Sequence, residues 1–205
     1  MSTARWIVAL HESGHIVLAF LLGLLVRSAT IHENHSGLTQ IFGAPWPMTV
    51  SAWGGIVTER LILAPYEIDE SRSRFDMAHA HERADSFVQW SESRHVAARL
   101  GPPATVTEGN RAAPALDEAA HADVSALVTE INAKLRPHRE ARVLRLVALA
   151  ERKARERLSV NLVTVRTVAV ALAGYGFLDG PQLLELFHEG RRRQAEDDEL
   201  WRKKA

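Results

Sequence analysis

The sequence predicts a mainly α-helical protein with a small β element, an α+β class, and three observations support it. Residues 3–22 suit a helix that is apolar on nearly every face. Two short strand-like runs follow, joined by a polar turn. Apolar residues then recur at helical spacing over most of the second half of the chain. A chain of 205 residues is long enough to bury a sizeable core without disulfide bonds.

The first helix is predicted at residues 3–22, because Ser2 or Thr3 suits the N-cap and Gly23 can end it. Its residues are apolar on nearly every face, which is typical of a helix in the middle of a domain. The two strands are predicted at residues 28–32 and 38–42.

Proline and glycine divide the rest of the chain. Pro45 and Pro47 are expected to break it after the second strand, and Pro137 to interrupt a long helical pattern. A loop is expected in the proline- and glycine-rich residues 101–114. The remaining helices are predicted at residues 50–63, 71–95, 123–136, 139–158 and 162–173, with a last one that starts near residue 179.

Composition excludes several classes of protein. Lys plus Arg and Asp plus Glu number 25 each, which argues against a nucleic-acid partner. There is no cysteine, so disulfides and thiolate metal sites are excluded and any metal must bind His, Asp or Glu. The apolar run at residues 16–26 is far shorter than the about 20 residues of a membrane span. No signal peptide is recognised, and a cytoplasmic location is expected.

Residues 11–15 read His-Glu-Ser-Gly-His and match the pattern H-E-x-x-H inside the first helix. Residues four apart lie on one face of a helix, so His11 and His15 can both reach one zinc ion. Glu12 projects beside the metal, where it can act as the general base that activates water. A charged residue in an apolar helix requires a partner or a function, which favours a metal site over two core histidines.

The spacing alone leaves the third metal ligand open. A carboxylate would complete a site with three protein ligands and one open position for water. The candidates are Glu33, His35, Glu59, Asp69, Asp76 and His79.

Five segments of the chain, taken in order, resemble those of one known family. The first is ALHESGH at residues 9–15, and four more follow it. They are SGLTQ at residues 36–40, WGGIVTERLI at 53–62, RFDMAHA at 74–80, and residues 169–187 with their LDG turn. In this order they resemble the peptidase domain of FtsH-type proteases, which are zinc peptidases normally fused to an AAA+ ATPase. The resemblance spans about residues 5–187.

The resemblance implies that His11, His15 and Asp76 bind zinc and that Glu12 is the catalytic base. It also implies that Gly37, Leu38, Thr39 and Gln40 form an edge strand on which a peptide substrate pairs, a mode of binding with little sequence preference. A hexameric ring is implied as well. The charged residues 67–74 depart from the family pattern before Asp76, so Asp69 stays the alternative ligand.

The sequence thus predicts a zinc metalloendopeptidase that cuts peptides or unfolded proteins. The chain contains no G-x-x-x-x-G-K-[ST] loop, so hydrolysis without an ATPase of its own is expected. Two alternatives stay open: a non-catalytic peptide-binding module, and a peptidase that works with a separate ATPase. The predicted organisation is a catalytic half at 1–100, a loop at 101–116, a helical half at 117–190 and a charged tail at 191–205.

Overall fold

A computed structural model describes residues 2–68, 70–100 and 118–204. Its order of elements confirms the mainly α class with a small β element. The elements are α1 (Thr3–Leu21), β1 (Leu25–Ile31), β2 (Gly37–Phe42), α2 (Pro45–Ser51), α3 (Gly54–Ile62), α4 (Glu70–Leu100), α5 (Glu118–Ser159), α6 (Leu162–Tyr175), β3 (Phe177–Asp179) and α7 (Gly180–Lys204), with a short 3-10 turn at Pro65–Glu67. The predicted loop at 101–116 lies outside the described residues.

Helix α1 is the centre of the core. The side chain of Ser2 accepts a hydrogen bond from the backbone N–H of Arg5, which caps the helix as predicted. All thirteen residues from Ile7 to Ala19 are buried. The helix packs on the sheet and on α2, α3, α5, α6 and α7. Its polar residues are therefore enclosed by other elements, and each of them needs a partner.

The sheet has the strand order β2-β1-β3 and is antiparallel throughout. Leu178 pairs with Ala29, and Ala29 pairs with Thr39. The third strand was not predicted, because three residues are too few for an alternating pattern. Since β2 lies at one edge of the sheet, its outer backbone groups have no strand partner in the described part of the chain.

The predictions about Pro45, Pro47 and Pro137 are all wrong. Pro45 and Pro47 do not break the chain but lie in the first turn of α2, where the fixed φ angle of proline is tolerated. The single helix predicted at 50–63 is consequently two helices, α2 and α3, separated at Ala52 and Trp53.

Pro137 lies inside the continuous helix α5. Contacts that follow this position hold the helix in place. Arg139 makes two hydrogen bonds of 2.6 Å to Asp85 of α4, and Val143 and Val147 are buried in the core. These contacts compensate for the backbone hydrogen bond that proline cannot donate.

Helix α7 extends well past the predicted end of the folded part. It runs through most of the mixed-charge residues 191–205, which were predicted as a tail. Within the described residues, no single helix is both long and apolar enough to cross a membrane. Only residues 136–159 and 162–175 taken together reach that threshold, and a bend of 86° separates them.

Candidate active site

Three side chains from two helices converge at one point. The Nε2 atoms of His11 and His15 are 3.2 Å apart. The Oδ2 atom of Asp76, on α4, lies 2.8 Å from the Nε2 of His11 and 3.3 Å from that of His15. This is the group of residues in the described part of the chain that can hold a metal ion.

The donor set fits a zinc ion. In a tetrahedral site with bonds of about 2.0–2.2 Å, two ligand atoms lie about 3.3–3.6 Å apart. Two of the three separations, 3.2 and 3.3 Å, are close to this value, and the third, 2.8 Å, is that of a hydrogen bond. Two imidazoles and one carboxylate leave one position of a tetrahedron open, which is typical of catalytic zinc sites.

The other nitrogen of each ring is also engaged, and this orients both rings. The Nδ1 of His11 donates to Oε1 of Glu59 at 2.8 Å. The Nδ1 of His15 donates to the backbone carbonyl of Ser51, also at 2.8 Å. A proton on each Nδ1 leaves Nε2 as the atom that can bind a metal, so these partners select the tautomer that a metal site requires.

Three glycines make the close approach of these groups possible. A Cβ atom on Gly54 would come within 2.6 Å of the backbone of Gly14, so α1 and α3 can cross this closely only without side chains. A Cβ on Gly55 would overlap the ring of His11. The tight crossing therefore brings Glu59, one turn further along α3, within reach of His11.

Charge in the cluster is coupled through Asp76. Burial opposes the protonation of His11, but hydrogen bonds to Asp76 and Glu59 outweigh burial and raise the pKa of His11 to about 10. Burial also opposes the protonation of His15, whose pKa is nevertheless raised by the charge of Asp76. Burial would raise the pKa of the Asp76 carboxyl, yet the two rings hold that pKa well below its usual range. A cation that binds here must displace these protons.

Glu12 lies between the converging His11, His15 and Asp76 and strand β2, and it is only 6% exposed. The hydroxyl of Thr39 donates to its Oε2 at 2.5 Å. A Cβ atom on Gly37 would overlap the Glu12 carboxylate, so glycine at this position makes room for it. Strand β2 thus orients the carboxylate that was predicted to be the catalytic base.

A cleft opens above these groups, between β2 on one side and α2 and α4 on the other. Of the four residues predicted to bind substrate, Gly37, Leu38 and Thr39 line this cleft. Gln40 is not among its lining residues, and its amide oxygen accepts a hydrogen bond from Ser28 at 3.4 Å.

The other ligand candidates are dispersed. Glu33 is exposed in the hairpin turn, and Glu59 lies against the far nitrogen of His11. His35 and His79 line the cleft and are exposed. Asp69 lies outside the described residues. The roles of His11, Glu12, His15 and Asp76 remain predictions. The structure adds that these four side chains lie close together.

Sequence reasoning missed the orienting roles of Glu59 and Ser51. Both are far from α1 in the sequence. The contact with Ser51 uses its backbone carbonyl, a group that every residue has, so the residue type does not indicate it. The two glycines before Glu59 were a usable signal, because a Gly-Gly pair within a helical pattern indicates a close packing contact.

Residues 3–64 match a family model described as Peptidase M50B-like. The match covers under a third of the 205 residues and includes the H-E-x-x-H helix, β2 and Glu59. The class of protein that the fold, the site and this match support is a metallopeptidase. The family matched is the M50B-like one, so the match does not specifically support the FtsH type. No curated protein matches the chain significantly.

We expect the substitution Glu59→Gln to weaken metal binding by about 10- to 100-fold, since partners of metal-binding histidines typically contribute this much. The amide can still accept the hydrogen bond from His11, but the negative charge that makes the ring a better ligand is lost. Competition with a chromophoric chelator measures the affinity. The matched control is Glu151→Gln, which removes the same charge from a surface ion pair with Arg60. Equal affinities in the two variants would contradict the orienting role.

Proposed function

We propose that this chain is a zinc-dependent metalloendopeptidase, similar to the FtsH type, that hydrolyses peptide bonds in peptides or unfolded protein segments without ATP. The observation that supports it best is the convergence of two Nε2 atoms and one carboxylate oxygen beside a buried glutamate. A single carboxylate hydrogen-bonded to a histidine is common in proteins. Two imidazoles and two carboxylates that face one cleft are the set of groups that metal-assisted peptide hydrolysis requires.

His11, His15 and Asp76 would hold the metal. When bound, a zinc ion supplies Lewis-acid chemistry, polarising the carbonyl oxygen of the scissile bond and making water more acidic. The partners of the two rings, Glu59 and the carbonyl of Ser51, keep both Nε2 atoms pointed at the same place. The site can therefore bind its ion without rearranging either ring.

Glu12 would act as the general base and then as the general acid. Its Oε2 is occupied by the hydroxyl of Thr39, which leaves Oε1 to accept a proton from the attacking water. The water oxygen forms a bond to the carbonyl carbon, the C–N bond breaks, and Glu12 returns the proton to the leaving amine. Burial of Glu12 keeps bulk water from competing for this proton.

Strand β2 would hold the substrate. Its edge carries backbone N–H and C=O groups without a strand partner in the described part of the chain, and an extended peptide can pair with them. Thr39 belongs to this strand and also contacts Glu12, so a paired peptide lies beside the base. Backbone pairing requires an extended chain, which limits substrates to peptides and unfolded segments.

The decisive experiment combines metal analysis with proteolysis. We expect purified protein to contain about one zinc ion per chain and to cut an unfolded substrate such as casein. A chelator should stop the cleavage, and added zinc should restore it. Protein that binds no zinc and cuts no unfolded substrate would overturn the proposal, and zinc-free protein that binds peptides would favour the non-catalytic module instead.

Two further predictions are a hexameric ring, which the resemblance to FtsH-type peptidases implies, and a cytoplasmic location, which is expected from the sequence. A separate ATPase partner stays an alternative that the sequence leaves open. Light scattering tests the ring, and co-purification in the presence of nucleotide tests the ATPase partner. Each can fail without affecting the proposed reaction.

A further inference from the structure

One cation in the cleft has no partner among the residues that the structure describes. Arg83, on α4, lines the same cleft as the metal-binding group and is half-buried there. No hydrogen bond or ion pair engages its guanidinium within the described residues, although other arginines near it do pair. Arg139 binds Asp85, and Arg142 binds Glu92. A guanidinium held in a cleft without an anion is suited to bind an anion that enters the cleft.

The acids of the cleft are not available to Arg83. Glu12 and Asp76 are the carboxylates among its lining residues. Glu12 accepts the hydrogen bond from Thr39, and Asp76 contacts both metal-binding histidines. Among the described residues that line the cleft, the part of α4 beyond Asp76 therefore presents only His79 and Arg83 as groups that can carry charge, and either charge would be positive.

We propose that Arg83 determines specificity by binding a carboxylate of the peptide substrate. The proposal rests on the proposed function, since it assigns a preference to the same cleft. A guanidinium binds a carboxylate through two parallel N–H···O hydrogen bonds, a geometry that an amide cannot match. The carboxylate can belong to a Glu or Asp side chain or to the C-terminus of the peptide.

The position of Arg83 limits where this carboxylate lies. Arg83 follows Asp76 by seven positions on one helix, which corresponds to about 10 Å along its axis. An extended peptide advances about 3.3 Å per residue. The preferred acid is thus within about three residues of the scissile bond, on one side of it.

The test measures binding separately from cleavage. Fluorescently labelled peptides carry Glu at each position up to three residues from the cleaved bond, with Gln versions of the same peptides for comparison. A second pair differs only in a free or amidated C-terminus. Binding is measured by fluorescence anisotropy to the zinc-loaded Glu12→Gln variant, which holds peptides without cutting them, and cleavage is measured with the wild-type chain.

We expect one Glu peptide to bind about five- to tenfold tighter than its Gln version, a typical effect for a partly exposed charge-assisted hydrogen bond. Arg83→Gln should remove the difference, Arg83→Lys should keep part of it, and higher ionic strength should reduce it. The matched control is Arg166→Gln, which removes an exposed arginine on α6, outside the cleft, and should change nothing. A preference for the free over the amidated C-terminus would identify the terminal carboxylate as the source.

The outcomes separate this inference from the proposed function. Equal binding of all Glu and Gln peptides and of both C-terminal forms overturns the role of Arg83, even if the wild type cuts them. A preference that depends on Arg83, in a chain that cuts no peptide, supports the role of Arg83 and overturns the peptidase. A preference that persists in Arg83→Gln also overturns the inference.

Discussion

Glu12→Gln is expected to lower kcat for peptide hydrolysis by about 10²- to 10⁴-fold, the usual contribution of a general base. Zinc content and fold should remain, because Glu12 is not one of the three converging ligands and glutamine has nearly the same shape. The amide oxygen can still accept the hydrogen bond from Thr39. What the variant loses is the ability to take a proton from water. Initial rates of peptide cleavage, with zinc content measured on the same samples, test this expectation.

The control for this variant is Glu33→Gln. It removes the same charge from an exposed position in the hairpin turn between β1 and β2. Its rate should equal that of the wild type. If Glu12→Gln retained a rate close to the wild-type value while binding zinc normally, another group would have to be the base, and the exposed histidines of the cleft, His35 and His79, would be the next candidates.

The parts of the site that were predictable from sequence are those determined by local geometry. The placement of His11 and His15 on one face follows from the period of a helix, and the burial of α1 follows from its apolar composition. The structure agrees with both, because helical period and apolar composition are properties of the local sequence. The same holds for the Ser2 cap and for the hairpin of β1 and β2.

The parts that were not predictable depend on contacts between distant segments. The Glu59 carboxylate reaches His11 only because Gly14 and Gly54 let two helices cross closely, and the sequence does not show which helices cross. Pro137 was expected to end a helix, but contacts of α5 with α4 and with the core carry the helix through it. In each case tertiary packing outweighs a local preference.

The family match and the structure contribute different evidence. Residues 3–64 include both histidines, Glu12 and Glu59, but they end before Asp76. The support for Asp76 therefore comes from the structure and from the resemblance to FtsH-type peptidases, independently of the M50B-like match. Asp76 is for that reason the residue whose substitution is most informative.

Asp76→Asn is expected to weaken zinc binding by more than the about 10- to 100-fold predicted for Glu59→Gln, because it removes a ligand and not the partner of a ligand. Activity at limiting zinc should fall with the affinity. Zinc at about 100 times its Kd should stabilise the wild type by about 2.7 kcal/mol, and this stabilisation should be lost in the variant. Chelator competition and thermal unfolding with and without zinc measure the two effects.

Asp85→Asn provides the control, since it makes the same chemical change on the same helix but affects only the contacts of Asp85 with Arg139 and Gln89. It should leave zinc affinity unchanged. Asp69→Asn tests the alternative ligand left open by the sequence. If Asp76→Asn kept its affinity and Asp69→Asn lost it, the third ligand would be Asp69. The short contacts of Asp76 with both rings would then be ion pairs with protonated histidines, because a carboxylate placed this close to two imidazoles favours their charged form.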